Sequence, residues 1–203
     1  MALTVSQLSV PRPRRRALAS AGLLAVGLLA SGCVPLAITG ITAGALAVAD
    51  RRTLGAQTDD QAIELKATTL ISENLPAAKG ISTTSFNRKV LLTGQAPDAA
   101  SKARAQEMIG ALPNVRSVHN EIVIGPRASL GTISSDAAIT ARVRAAFVGE
   151  RDLPSEAFKV VTESGVVYLM GLVTRAEADR ASKIVSRISG VTRVVTVFEY
   201  LPG

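Results

Sequence analysis

The chain has 203 residues and a formal net charge of +7, yet Arg12, Arg14, Arg15 and Arg16 precede any acid, so residues 33–203 hold 19 basic and 16 acidic side chains, a net of +3. With two tyrosines, four phenylalanines and no tryptophan, this excludes the clustered basic and aromatic footprint of a nucleic-acid binder. A single cysteine excludes an internal disulfide, and the length left after a leader suits one domain or two small ones with aliphatic cores.

The arginines are followed by an uncharged run from Ala17 to Gly32, and small residues Ala30, Ser31 and Gly32 lead into Cys33. A basic start, an apolar middle and a small-residue cut site form a secretory signal peptide, predicted over residues 1–32. The Leu29–Cys33 stretch resembles a bacterial lipobox, with alanine at position 30 where leucine is usual. That resemblance implies cleavage before Cys33 and a diacylglycerol on its thiol. Valine rather than aspartate at position 34 implies passage to the outer membrane. Uncut, residues 17–49 would form a charge-free stretch ample for a membrane span. Cut, residues 33–58 are a tether of small residues in which Gly40 and Gly44 are an incidental GxxxG pair.

From Asp59 onward the chain repeats itself. Asp60, Ile63, Ile71, Leu112, Val115 and Val118 recur 76 residues later as Asp136, Ile139, Phe147, Ile188, Val191 and Val194. Val90, Leu92 and Gly94 recur at 77 as Val167, Leu169 and Gly171. In the first copy the pattern predicts a helix over 60–74, strands over 81–86 and 89–94, a helix over 98–111 and a last strand over 115–124. In the second, Ile139, Val143, Ala146 and Phe147 share one face of a helix opening near Ser135. Phe158–Thr162 alternates as a strand, Glu163-Ser164-Gly165 turns, and Val166–Leu172 returns. Thr174 and Glu177 form a capping box for a helix whose Asp179 and Lys183 pair on its wet face, and Thr192–Tyr200 is a final strand. Each copy is thus α+β, in the order helix, strand, strand, helix, strand, with two helices packed on a three-stranded sheet. The predicted boundaries are 59–125 and 134–203, with a linker over 126–133.

At these residues the chain resembles the BON domain, and the tandem pair resembles the dual BON-domain outer-membrane lipoproteins. The match is carried by Val90–Gly94 and Asn120-Glu121-Ile122 in the first copy, and by Ile139–Arg144, Val166–Thr174 and Ser189-Gly190-Val191 in the second. BON modules are small binding domains rather than enzymes. The resemblance implies an anionic-phospholipid surface on the second domain, an outer-membrane location with the domains facing the periplasm, and a part in keeping that membrane intact.

No catalytic constellation competes with that expectation. His119 stands alone beside Asn120 in a strand, and there is no GxSxG elbow, HExxH motif, phosphate-binding glycine loop or cysteine pair. Neither a metal nor another cofactor is expected, and Asp59 with Asp60 is read as charge at a helix start. Glycines 94 and 171 are read as ending their strands. The expected lipid-binding residues are Ala138, Ala141, Arg142, Arg144, Ala145 and Val148, on the side of their helix opposite the buried stripe. A small, apolar face would let a guanidinium reach a phosphate and grip it with two hydrogen bonds. The other reading is a non-enzymatic adaptor docking on envelope proteins that assemble the outer membrane or remodel peptidoglycan, with lipid contact through Cys33 alone.

Overall fold

A computed structural model describes residues 50–202, and the leader, Cys33, the Gly40/Gly44 pair and most of the expected tether lie outside them. The elements are α1 (Leu54–Asn74), β1 (Gly80–Phe86), β2 (Lys89–Ala96), α2 (Ala99–Gly110), β3 (Ser117–Asn120) and β4 (Val123–Ile124) in the first repeat. The second has α3 (Leu130–Val148), a short 3-10 turn at Ser155–Ala157, β5 (Phe158–Glu163), β6 (Val166–Val173), α4 (Arg175–Val185) and β7 (Arg193–Tyr200). Among the described residues no helix is long and apolar enough to cross a membrane.

In each repeat the hairpin is antiparallel and the third strand returns parallel beside the middle one, giving the orders β1-β2-β3 and β5-β6-β7. Helices cover one face. Ile63, Ala67 and Ile71 of α1 and Ala105 and Ile109 of α2 close over Val90 and Leu92. Ile139, Val143 and Phe147 of α3 and Ala178, Ala181 and Val185 of α4 close over Val167 and Leu169.

Both first helices open earlier than the periodicity predicts. Thr53 caps α1, its hydroxyl accepting from the Ala56 amide at 3.1 Å, and Ser129 caps α3 by accepting from Thr132 at 3.1 Å. Asp60, expected as charge at a helix start, and its repeat Asp136 lie within these helices and point inward. Asp136 accepts from the amides of Ser164 and Gly165 at 2.7 and 2.8 Å. Asp60 accepts from the Asn87 and Arg88 amides, the Ser85 hydroxyl and Arg52, all at 2.7–2.8 Å. The recurring aspartate thus pins its own hairpin turn, where two successive residues take positive φ: Asn87 (51°) and Arg88 (64°), then Ser164 (50°) and Gly165 (78°). Such a turn matches the twist of the flanking strands. Asp59 holds the same turn from outside, through Arg88 Nε at 2.8 Å.

The capping box of α4 is present, whereas Asp179 and Lys183 are not an ion pair at 4.0 Å among the described residues. The last strand of the first repeat is split. Asn120 donates to Lys102 O and Gln106 Oε1 and accepts from the Ile122 amide, so the chain jogs between β3 and β4 and buries Ile122. Gly94 and Gly171 lie inside β2 and β6 rather than at their ends. Gly94 has φ 93°, and a Cβ there would collide with the Gly80 carbonyl oxygen of the paired strand.

Residues 50–202 pack as one unit because the sheets meet through the faces the helices leave free. Phe86 and Leu91 of the first repeat join Tyr168, Met170 and Val197 of the second in a third buried cluster. Its rim is polar. Lys159 Nζ binds Glu64 at 2.7 Å and the Ser85 carbonyl at 3.1 Å, Asn87 donates to Glu199 at 3.0 Å, and Gln95 donates to Glu163 at 2.6 Å. Arg51 forks onto Glu177 with bonds of 2.7 and 2.8 Å, tying the chain before α1 to the start of α4.

Candidate functional site

Helix α3 turns an apolar stripe toward solvent. Asp136, Ile139, Val143 and Phe147 are its buried side. Opposite them Leu130, Ile133, Ala137, Ala141, Ala145 and Val148 recur at spacings of three and four, the interval that keeps side chains on one stripe. All six are exposed, Leu130 at 83%, Ile133 at 45% and Val148 at 74%. At 1.5 Å per residue the stripe is about 27 Å long. No acidic side chain interrupts it.

The structure places Ala138, Ala141, Arg142, Arg144, Ala145 and Val148 on this helix, all solvent-exposed. It separates the two arginines by what they do. Arg142 Nη2 donates to the Ser189 carbonyl at 3.0 Å, bracing α3 against the turn at Gly190 (φ 91°). Arg144 lies on the other flank, where it lines a groove with Phe147, Val148, Phe158 and Lys159, and no carboxylate lies within ion-pair distance of it among the described residues. Leu130 and Ile133 escaped the sequence reading because they fall in the expected linker. The signal that locates them is Ser129, a capping residue followed at Thr132 by the amide it accepts from.

Among the described residues no cluster of three or more histidine, cysteine, aspartate or glutamate side chains is placed to hold a metal. His119 is exposed on β3. The most perturbed carboxyl is Glu177, which the Arg51 guanidinium hydrogen-bonded to it holds down at about 2, against a smaller opposing effect of burial. Its work is structural, since both its oxygens are engaged by Arg51 and it also closes the α4 capping box.

Comparison with known proteins agrees with this architecture. The model of the BON domain matches residues 59–126 and again 135–202. The outer membrane lipoprotein DolP of Haemophilus influenzae is 34% identical over 181 residues, covering 88% of this chain and 94% of that protein. The 21 kDa hemolysin of Actinobacillus pleuropneumoniae is 31% identical over 154 residues, 75% of this chain and 79% of that one. Among solved structures, CdsD of the type III secretion system of Chlamydia trachomatis aligns at 18% identity with a TM-score of 0.29, covering 71% of this chain and 64% of that one. The chain belongs to the BON-domain family, as a DolP-like tandem pair.

Proposed function

We propose that this protein is an outer-membrane lipoprotein, acylated at Cys33 with its domains in the periplasm, that lays α3 of its second BON domain on anionic phospholipid and helps keep the membrane intact without catalysing a reaction. The exposed stripe of α3 carries this reading. A soluble helix that served only as a core wall would be expected to turn charged and polar residues outward. Here alanines let the backbone approach head groups closely, and Leu130 and Val148 at the two ends supply apolar side chains. Arg144, free of an internal partner, is placed to bind a phosphate, whereas Arg142 would first have to release Ser189. One basic side chain near an anionic surface contributes about 1 kcal/mol, too little to hold a protein alone. An acyl anchor supplies the residence, at about 0.8 kcal/mol per buried methylene, and leaves the helix to select the lipid. The similarity to DolP, named for its membrane and its lipid modification, supports the location.

The test is flotation of a fragment from Asp50 to Gly203, which contains all three cores, with vesicles of phosphatidylcholine alone or with phosphatidylglycerol. Salt-sensitive flotation only with the anionic lipid, lost in Arg144→Glu, is the expected result. A fragment that stays in the soluble fraction at low salt would leave Cys33 as the sole lipid contact and favour an adaptor for envelope proteins.

A further inference from the structure

We infer that the cleft between the two domains seats the phosphate of an anionic phospholipid headgroup between Lys79 of the first domain and Arg127 of the connecting segment. This rests on the membrane-facing reading of α3 and makes the first domain part of the lipid site.

Lys79 and Arg127 line two adjoining hollows of about 300 and 460 Å³. The backbone beside Lys79 meets Arg127, since a Cβ added to Gly80, next in sequence, would lie 3.5 Å from Cγ of Arg127. Both are exposed, and neither has a carboxylate within 4.0 Å among the described residues. That sets them apart from the other cations along the domain seam. Lys159 is paired with Glu64, Lys89 and Arg116 with Glu199, and Arg193 with Glu121. Two neighbouring unpaired cations repel each other, and an anion between them removes that cost.

Asp136 and Glu163, which share the smaller hollow, keep their charge although neutral donors bond them, whereas no acid lines the larger one. Asp136 accepts from the amides of Ser164 and Gly165. Glu163 accepts from Gln95, whose own side-chain oxygen accepts from the Ala128 amide at 2.8 Å. Ser82 offers an exposed hydroxyl in the same hollow. The guanidinium of Arg127 can grip two phosphate oxygens while Lys79 acts as a point charge.

What assigns the anion to a lipid is the opposite wall. Ile133 and Ala137 of α3 line this hollow and also belong to the helix's exposed apolar stripe. A phospholipid whose acyl chains lie against that stripe therefore presents its phosphodiester to Lys79 and Arg127.

The experiment measures partition of the Asp50–Gly203 fragment onto phosphatidylglycerol-containing vesicles at low salt. It compares Lys79→Gln/Arg127→Gln with Lys66→Gln/Arg104→Gln, which removes the same charge from exposed positions on α1 and α2. The cleft pair is expected to lose about thirtyfold in partition and the control pair about threefold or less. Equal losses would reduce the effect to net charge and overturn the proposal. Undiminished partition of the cleft pair, with binding lost in Val148→Asp, would also overturn it while leaving α3 as the membrane face. A wild-type fragment that never partitions overturns both. Protection of Lys79 from amine acylation by inorganic phosphate, without vesicles and at matched ionic strength, would assign the cleft to the free ion instead. Neither cation has a side-chain hydrogen bond or ion pair among the described residues, so all variants should keep the wild-type urea midpoint.

Discussion

The two repeats share a core and differ on their outer surfaces. Ile63 and Ile71 in α1 hold the positions of Ile139 and Phe147 in α3, and Asp60 pins its hairpin as Asp136 does. Outside, both helices expose a leucine at their start, Leu54 and Leu130, but α1 then shows Thr58, Gln61, Lys66, Thr68, Thr69 and Ser72 around Leu65, whereas α3 shows alanines ending on Val148. Packing fixed the inward residues of both helices alike, whereas their outward residues diverge. The repeats also divide labour in stability. Asp60 gathers four donors and Asp136 two. The first repeat alone carries a glycine whose strand crossing demands positive φ, Gly94, where Gly171 does not.

The sharpest way to break this comparison is at those glycines. Gly94→Ala places a methyl group against the Gly80 carbonyl at a φ that side chains rarely adopt, and should cost about 4 kcal/mol or more in urea unfolding. Gly171→Ala brings a Cβ to 2.7 Å from the Ala157 carbonyl at an ordinary φ and should cost about 2 kcal/mol. The aspartates come next. Asp60→Ala strands the Asn87 and Arg88 amides and the Ser85 hydroxyl and leaves Arg52 with Asp50 alone, an expected loss of about 3–5 kcal/mol. Asp136→Ala strands two amides, an expected loss of about 1–3 kcal/mol by the same unfolding measurement. On the functional side, Arg144→Glu, a change of two charges, should lower partition onto anionic vesicles by about thirtyfold, with a smaller effect from Leu65→Glu on the other repeat's helix.

The smallest effect concerns pH. Glu177 titrates at about 2 in the folded chain against an ordinary 4.5. Because the folded value is the lower one, its contribution is present above pH 4.5 and is lost as pH falls toward 2. Arg51→Gln should remove that portion of the acid sensitivity and cost less than about 1 kcal/mol at neutral pH, since the pair sits near the surface. Urea midpoints across that window measure it.

Repetition and periodicity made the α+β architecture, both hairpins and the α4 capping box legible in the sequence. What they missed has a common cause. The helical periodicities point to two layers in each repeat, yet Val166–Met170 (VVYLM) has no polar residue in alternate positions, which is the mark of a strand covered on both faces. Tyr168 and Met170 point away from their helices and into the other sheet. The helix starts were misplaced for a related reason. Asp60 and Asp136 carry the residue type of a cap, but their partners are amides twenty or more residues away, a long-range demand that no local pattern displays. The surface residues of α3 were legible from Ala138 to Val148 because they alternate with the core stripe. Lys79 and Arg127 were not, since only the fold of the first repeat and the segment after it brings them to one hollow.

The difference between the two outer faces can be read in one measurement. Ala141 and Leu65 are equivalent positions, 76 residues apart, on α3 and α1. In the Asp50–Gly203 fragment, which has no native cysteine, each is replaced by cysteine in turn, carries an environment-sensitive fluorophore, and is mixed with phosphatidylglycerol-containing vesicles. The account requires a blue shift from the label at position 141 and none from the label at position 65. Shifts of equal size at both positions, or a shift at position 65 alone, would contradict it.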